Sequence, residues 1–207
     1  MGIFDWFRRP PRIADRAALA DFLDTRAAFF AQKSIFDYTR GRAGPYFPQI
    51  IKEKEFSTRV DEARWRNYPY GLSMVAEMVH GVLLPAAGDA PALAAALQEI
   101  SLDVFDRYPV PPMLGEEYWS GERAGLATRV AGIALHPPKP VKDIPMPFGE
   151  IFFNNMPIHE RLREHDFELI RNHLRSNLLS MNRDFLKHAD IEALVGVLLP
   201  AADRTAA

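Results

Sequence analysis

A chain of 207 residues suits a single domain, and with 48% hydrophobic and 25% charged residues it has the composition of an ordinary globular protein. Its 25 basic and 27 acidic residues leave a net charge of −2, which gives no field to attract a phosphate backbone, so no nucleic-acid partner is expected. Cysteine is absent, which excludes disulfides, thiolate nucleophiles and thiolate-bound metals and fits a reducing compartment.

The chain starts MGIFDWFRRPPR. Ile3, Phe4, Trp6 and Phe7 form an apolar clip closed by Arg8, Arg9 and two prolines. Asp5 interrupts the apolar run and the arginines follow it, which is not the order of a secretory signal. Trp6 stands where a myristoylation motif needs Ser or Thr. No run approaches the roughly 20 apolar residues that cross a bilayer, so a cytoplasmic protein is the expectation. Two roles stay open for the clip. It folds back to cap the apolar end of the body, or it docks weakly on a partner or on the inner face of the membrane, with Trp and Phe at headgroup level and Arg on phosphate.

The next long segment, from Arg12 to Pro45, reads as one helix. Asp15 serves as N-cap, Leu19, Phe22, Leu23 and Phe30 share a face, and Gly41, Gly44 and Pro45 end it. A connector, PYFPQIIKEKEF, follows. Thr58 with Asp61 has the pattern of a capping box, which predicts a helix from there to about Arg66, broken or kinked by Pro69. From Tyr70 to Leu84 nearly every residue is apolar, which predicts a central buried helix ending at Pro85. Asp89 caps the next helix, with Pro91 tolerated in its first turn. VPPMLG at 110–115 precedes a helix from Glu116 to about Leu135. Five prolines in HPPKPVKDIPMPFG, 136–149, predict an extended connector. Beyond it, Phe167, Ile170, Leu174, Leu178, Met181 and Phe185 repeat at steps of three and four, the clearest helical stripe in the chain. Asp190 caps a last helix, IEALVGVLL, closed by Pro200.

No stretch alternates like a strand, so the expected fold is an all-α, single-domain bundle of about six to eight helices. Its parts are the clip at 1–12, a bundle core at 13–135, the proline-rich connector at 136–149 and C-terminal helices at 150–207 packing on the same bundle. The segment GVLLPAA occurs at both 81–87 and 196–202. It is too short an echo to indicate duplication.

Three residue sets could carry chemistry. Glu77 and His80 form a Glu-x-x-His pair of the kind that ligates metal in helical bundles, but the second copy such sites need is missing, so no metal or other cofactor is expected. Ser73, Glu77 and His80 are the residue types of a hydrolytic triad. Seven residues of helix separate Ser73 from His80 by about 10 Å, however, beyond hydrogen-bond reach. This polar stripe is expected to meet solvent or to make one buried hydrogen bond. The polar run from 153 to 178 offers Asn155, His159, Arg163, Asn172 and His173 as an anion or partner site, against a solvated face with Glu168–Arg171 and Glu164 or Glu168–Arg175 ion pairs.

The run MPIHERLREHDFELIRNHLRSNL, with FDWF-R and RWRNYPYGLSMV, resembles a small bacterial family of uncharacterised helical proteins, some labelled esterases. The likeness extends over most of the chain. It implies ester hydrolysis by a serine or a metal-bound nucleophile, and it transfers no catalytic residue. From the residues themselves, a non-catalytic protein-interaction or assembly module is favoured, peripheral to the membrane if the clip docks there. The clip and the extended VPPML and HPPKP segments would serve as ligands for partner grooves. A hydrolase with its site between helices is the alternative. The common premise is that ionisable groups lie on the wet sides of amphipathic helices.

Overall fold

The computed structural model describes residues 12–200, so the clip residues Ile3, Phe4, Trp6, Phe7, Arg8 and Arg9 lie outside the described part. Within it the fold is an all-α bundle. Six helices have eight residues or more: α1 (Arg16–Ala43), α3 (Lys54–Ala87), α4 (Ala90–Phe105), α5 (Glu116–Ala131), α8 (Phe167–His188) and α9 (Ile191–Leu198). Three short ones join them: α2 (Phe47–Ile50), α6 (Gly149–Asn154) and α7 (Glu160–Arg163).

Three aspartates start helices as their sequence positions predict. Asp15 accepts from the Ala18 N–H, Asp89 from Ala92 and Asp190 from Ala193, each occupying a donor that the first turn leaves free. At the other end of α1, Gly44 takes φ of 51°, a conformation that a side chain would strain.

α3 is the axis of the molecule. It packs along α1 on one side, against α4 and α5 on another, and against α8 and α9. Every residue from Gly71 to His80 is buried, as expected of a central helix. By length and composition α3 could also cross a bilayer, but 61% of its most apolar window is buried inside the bundle. That burial marks the core helix of a folded body. The crossing with α1 is close because Gly71 has no side chain. A Cβ there would stand 3.1 Å from the Ala27 carbonyl oxygen.

The sequence-based boundaries of α3 need correcting. The helix begins four residues before Thr58, whose hydroxyl donates back to the Lys54 carbonyl inside the helix, while Asp61 pairs with Arg64 at 3.0 Å. Pro69 neither ends nor splits it. A proline inside a helix costs about 3 kcal/mol through its missing N–H and its ring. Buried packing on both sides offsets that cost. Before Pro69, Trp65 and Tyr68 join an aromatic cluster with Tyr108, Phe105 and Trp119, and after it Gly71 sits on Ala27.

The connector at 136–149 is also less extended than its prolines imply. Residues 137–140 have no regular structure, but the chain then closes turn upon turn, with Asp143 N–H on the Pro140 carbonyl and Met146 N–H on Asp143. A 3-10 turn over Met146–Phe148 leads into α6, and Ile144 is buried. The stripe on α8 buries Ile170, Leu174, Leu178, Met181 and Phe185, while Phe167 at its start is half-buried.

Candidate functional site

The hydrolase candidates Ser73, Glu77 and His80 share one face of α3, but they are buried, at 4%, 8% and 2% exposure, not solvated. This corrects the premise that ionisable groups keep to the wet sides. Each has a different partner. The Ser73 hydroxyl donates to the Pro69 carbonyl at 2.8 Å and accepts from Arg129 Nε on α5 at 3.0 Å. The Arg129 guanidinium lies 4.4 Å from the Tyr70 ring centre, and Tyr70 donates to Glu122 at 2.8 Å. Glu77 takes Lys139 Nζ of the connector at 2.8 Å, with His136 Nε2 3.9 Å away. His80 Nε2 donates to the Ala90 carbonyl at 3.2 Å.

These contacts tie α3 to α5, to the connector and to the start of α4. Ser73 spends its proton on a backbone carbonyl and has a cation, not a base, on its oxygen. A nucleophile needs a base within about 3 Å. The arrangement is chemically suited to joining elements, with a buried carboxylate neutralised by a lysine.

His80 gives this network a pH signature. Burial, the largest influence, holds its pKa below the usual 6.5, against the opposing pull of the Ala90 bond and of Glu77. The folded chain therefore prefers the neutral ring, and below about pH 6.5 the unfolded chain binds more protons. The stability associated with His80 is complete above that pH and falls away as the pH drops towards the folded-state value. In urea titrations, a His80→Leu variant should lose less stability than the parent between about pH 7.5 and 5.5. Equal losses would show that another group carries the acid sensitivity.

The polar run at 153–178 divides. Asn155, His159 and Arg163 line a cleft of about 480 Å³ together with Asn154, Glu160, and Arg59, Glu62 and Arg66 of α3. Asn172 and His173 lie on α8 outside it. Asn172 is exposed and His173 half-buried, which corrects their grouping with the other three. The proposed Glu168–Arg171 ion pair is present. Arg175 instead donates to the Lys142 carbonyl at 3.1 Å, holding the connector against α8. His165 is exposed beside Glu164.

Inside the cleft, Arg163 is 5% exposed. Its guanidinium donates to the carbonyls of Phe153 and Asn154, so it caps the end of α6, and it lies 4.7 Å from the Phe153 ring centre. Asn155 Nδ2 donates to Oδ1 of the fully buried Asn67 at 2.8 Å, joining this segment to α3. On the facing wall, Arg66 Nε donates to Glu62 at 2.9 Å and Arg59 pairs with Glu55 at 3.0 Å. The sequence reading missed Arg59, Glu62 and Arg66. Their spacing of three and four on one helix face is the signal that marks them as a unit.

Among the described residues, no three of His, Asp and Glu are grouped as a metal ion would require. Compared with family models, with curated proteins and with solved structures, the chain finds no match.

Proposed function

We propose that the chain is a non-catalytic interaction module that meets a partner protein at the cleft between α3 and the 154–163 segment. The observation that carries this reading is a contrast between the two polar clusters. The Ser73–Glu77–His80 cluster is filled by contacts that hold the fold, whereas the cleft is open, concave and walled by charged and amide side chains. Open polar concavities on rigid helices present fixed hydrogen-bonding groups to another molecule.

A cytoplasmic location belongs to the same proposal, with contact at the inner membrane face if the N-terminal clip docks there. The hydrolase alternative, suggested by the family resemblance, needs a base for a serine, and Ser73 has Arg129 in that place.

Photo-crosslinking tests the module reading. Glu160 is on the rim of the cleft with its side chain 88% exposed, so a photo-reactive residue there leaves the core intact. Irradiation in the cells that make the protein should give an adduct of discrete mass. The same residue at Leu186, exposed on the outer face of α8, should not give that adduct. No adduct from position 160, or the same adduct from both positions, would refute the cleft as the contact surface.

A further inference from the structure

We infer that the apolar clip at residues 3–7 folds back into a pocket between the start of α1 and the end of α8, so that its binding surface is the body of its own chain. The pocket is separate from the cleft. It lies at the His188 end of α8, roughly 33 Å of helix away from the end that follows the 154–163 segment.

The pocket measures about 370 Å³, with Ile13, Ala18 and Phe22 as apolar walls and Arg12, Asp21 and Arg26 beside them. Each of these charged residues already has a partner. Arg12 pairs with Asp190 at 3.0 Å, Asp21 with Arg107 at 2.9 Å and Arg26 with Asp184 at 3.3 Å. What the pocket offers an occupant is therefore apolar contact. The clip carries that surface in Ile3, Phe4, Trp6 and Phe7, with Asp5 as its one charge. Each aromatic side chain has about 150–250 Å² to bury.

The course of the chain selects the clip over other occupants. The Ile13 N–H donates to the His188 carbonyl at 3.0 Å, and the Ile13 carbonyl accepts the Asp190 N–H at 2.9 Å. These bonds pin the start of the described chain to the end of α8. Arg12 and Ile13 themselves line the pocket, so the residues before them leave from its rim. Phe7 precedes Arg12 by five residues, which reach at most about 18 Å. A tether this short holds the clip at a local concentration on the order of millimolar. A second copy or a separate protein competes from a far lower concentration. Arg8 and Arg9 fall in the return segment, where they stay in water at the rim. A clip seated there is withheld from any membrane face.

The test is NMR of the isotope-labelled full chain, reading nuclear Overhauser contacts between the rings of Phe4, Trp6 and Phe7 and the methyls of Ile13 and Ala18. These contacts should be present at low protein concentration and persist in a mixture with excess unlabelled chain. Ala18→Glu places a charge on the pocket wall, at a half-buried position in the first turn of α1 where a carboxylate suits the helix start. It should abolish the clip contacts and leave those between Phe22 and Phe185 unchanged. The triple change Phe4→Ser, Trp6→Ser and Phe7→Ser should remove the ring-current shifts of the Ile13 and Ala18 methyls. The full chain and this triple variant should float equally with phosphatidylserine vesicles. No clip contacts, or contacts that survive Ala18→Glu, would overturn the inference. Contacts found only between chains would assign the pocket to a second copy, and flotation lost in the triple variant would assign the clip to the membrane; either result also overturns it.

Discussion

Replacing Phe185 by alanine should lower the unfolding free energy by about 3–5 kcal/mol, the cost of removing a fully buried aromatic ring and leaving its cavity. Phe185 is 0% exposed and closes the apolar stripe of α8, with its ring centre 5.0 Å from that of Phe22 on α1. The contact joins residues far apart in the chain, so the loss reports whether α8 belongs to the same core as α1. In a chain of this size each kcal/mol shifts Tm by about 2–4 °C, so thermal unfolding should move by about 10 °C. A single transition with an unchanged urea m-value is expected. A shift of only a degree or two, or a separate early transition for the C-terminal segment, would mean that α8 is not part of a common core.

Gly71→Val should cost about 2–3 kcal/mol by the opposite route. Glycine is a poor helix former, so on an isolated helix this change would be mildly stabilising. In the bundle, the first added carbon already meets the Ala27 carbonyl oxygen at 3.1 Å, and the Cα of Ala27 at 3.6 Å. The atoms in the way are backbone, which cannot rotate aside as a side chain would. Valine's two further carbons must then push α1 and α3 apart, and α1–α3 is the most extensive helix pair in the fold. Gly132, where an added Cβ meets nothing within 4 Å, provides a control expected to tolerate the change. Equal stability of the Gly71 and Gly132 variants would disprove the close crossing.

The helices were largely legible in the sequence because their signals are local. A capping aspartate and its N–H lie three residues apart, and the α8 stripe is readable within one helix. The misreadings at Pro69 and in the connector share one cause: long-range packing overrode a local signal. Pro69 is a helix breaker by itself, but the aromatic cluster around Trp65 and the Gly71–Ala27 contact keep both halves of α3 in line. The prolines of 136–149 forbid a helix but not the succession of turns fixed by Lys139 on Glu77 and Arg175 on Lys142.

The cleft was half legible for the same reason. Asn155, His159 and Arg163 lie close together in sequence, so a polar segment could be recognised. Their facing wall, Arg59, Glu62 and Arg66, comes from a helix about ninety residues earlier. Only the fold brings the two together, and it leaves Asn172 and His173 elsewhere. The burial of Glu77 was invisible from α3 alone, since the lysine that neutralises it belongs to the connector.

The central claim is that Ser73, Glu77 and His80 of α3 serve to hold helices together, which leaves Ser73 without a base to activate it. The most direct measurement is labelling of the purified full chain with a fluorophosphonate, a reagent that modifies serines activated by a base. The expected result is no label on Ser73, because its proton is held by the Pro69 carbonyl and its oxygen faces Arg129. Stoichiometric labelling of Ser73, abolished in Ser73→Ala, would contradict the claim.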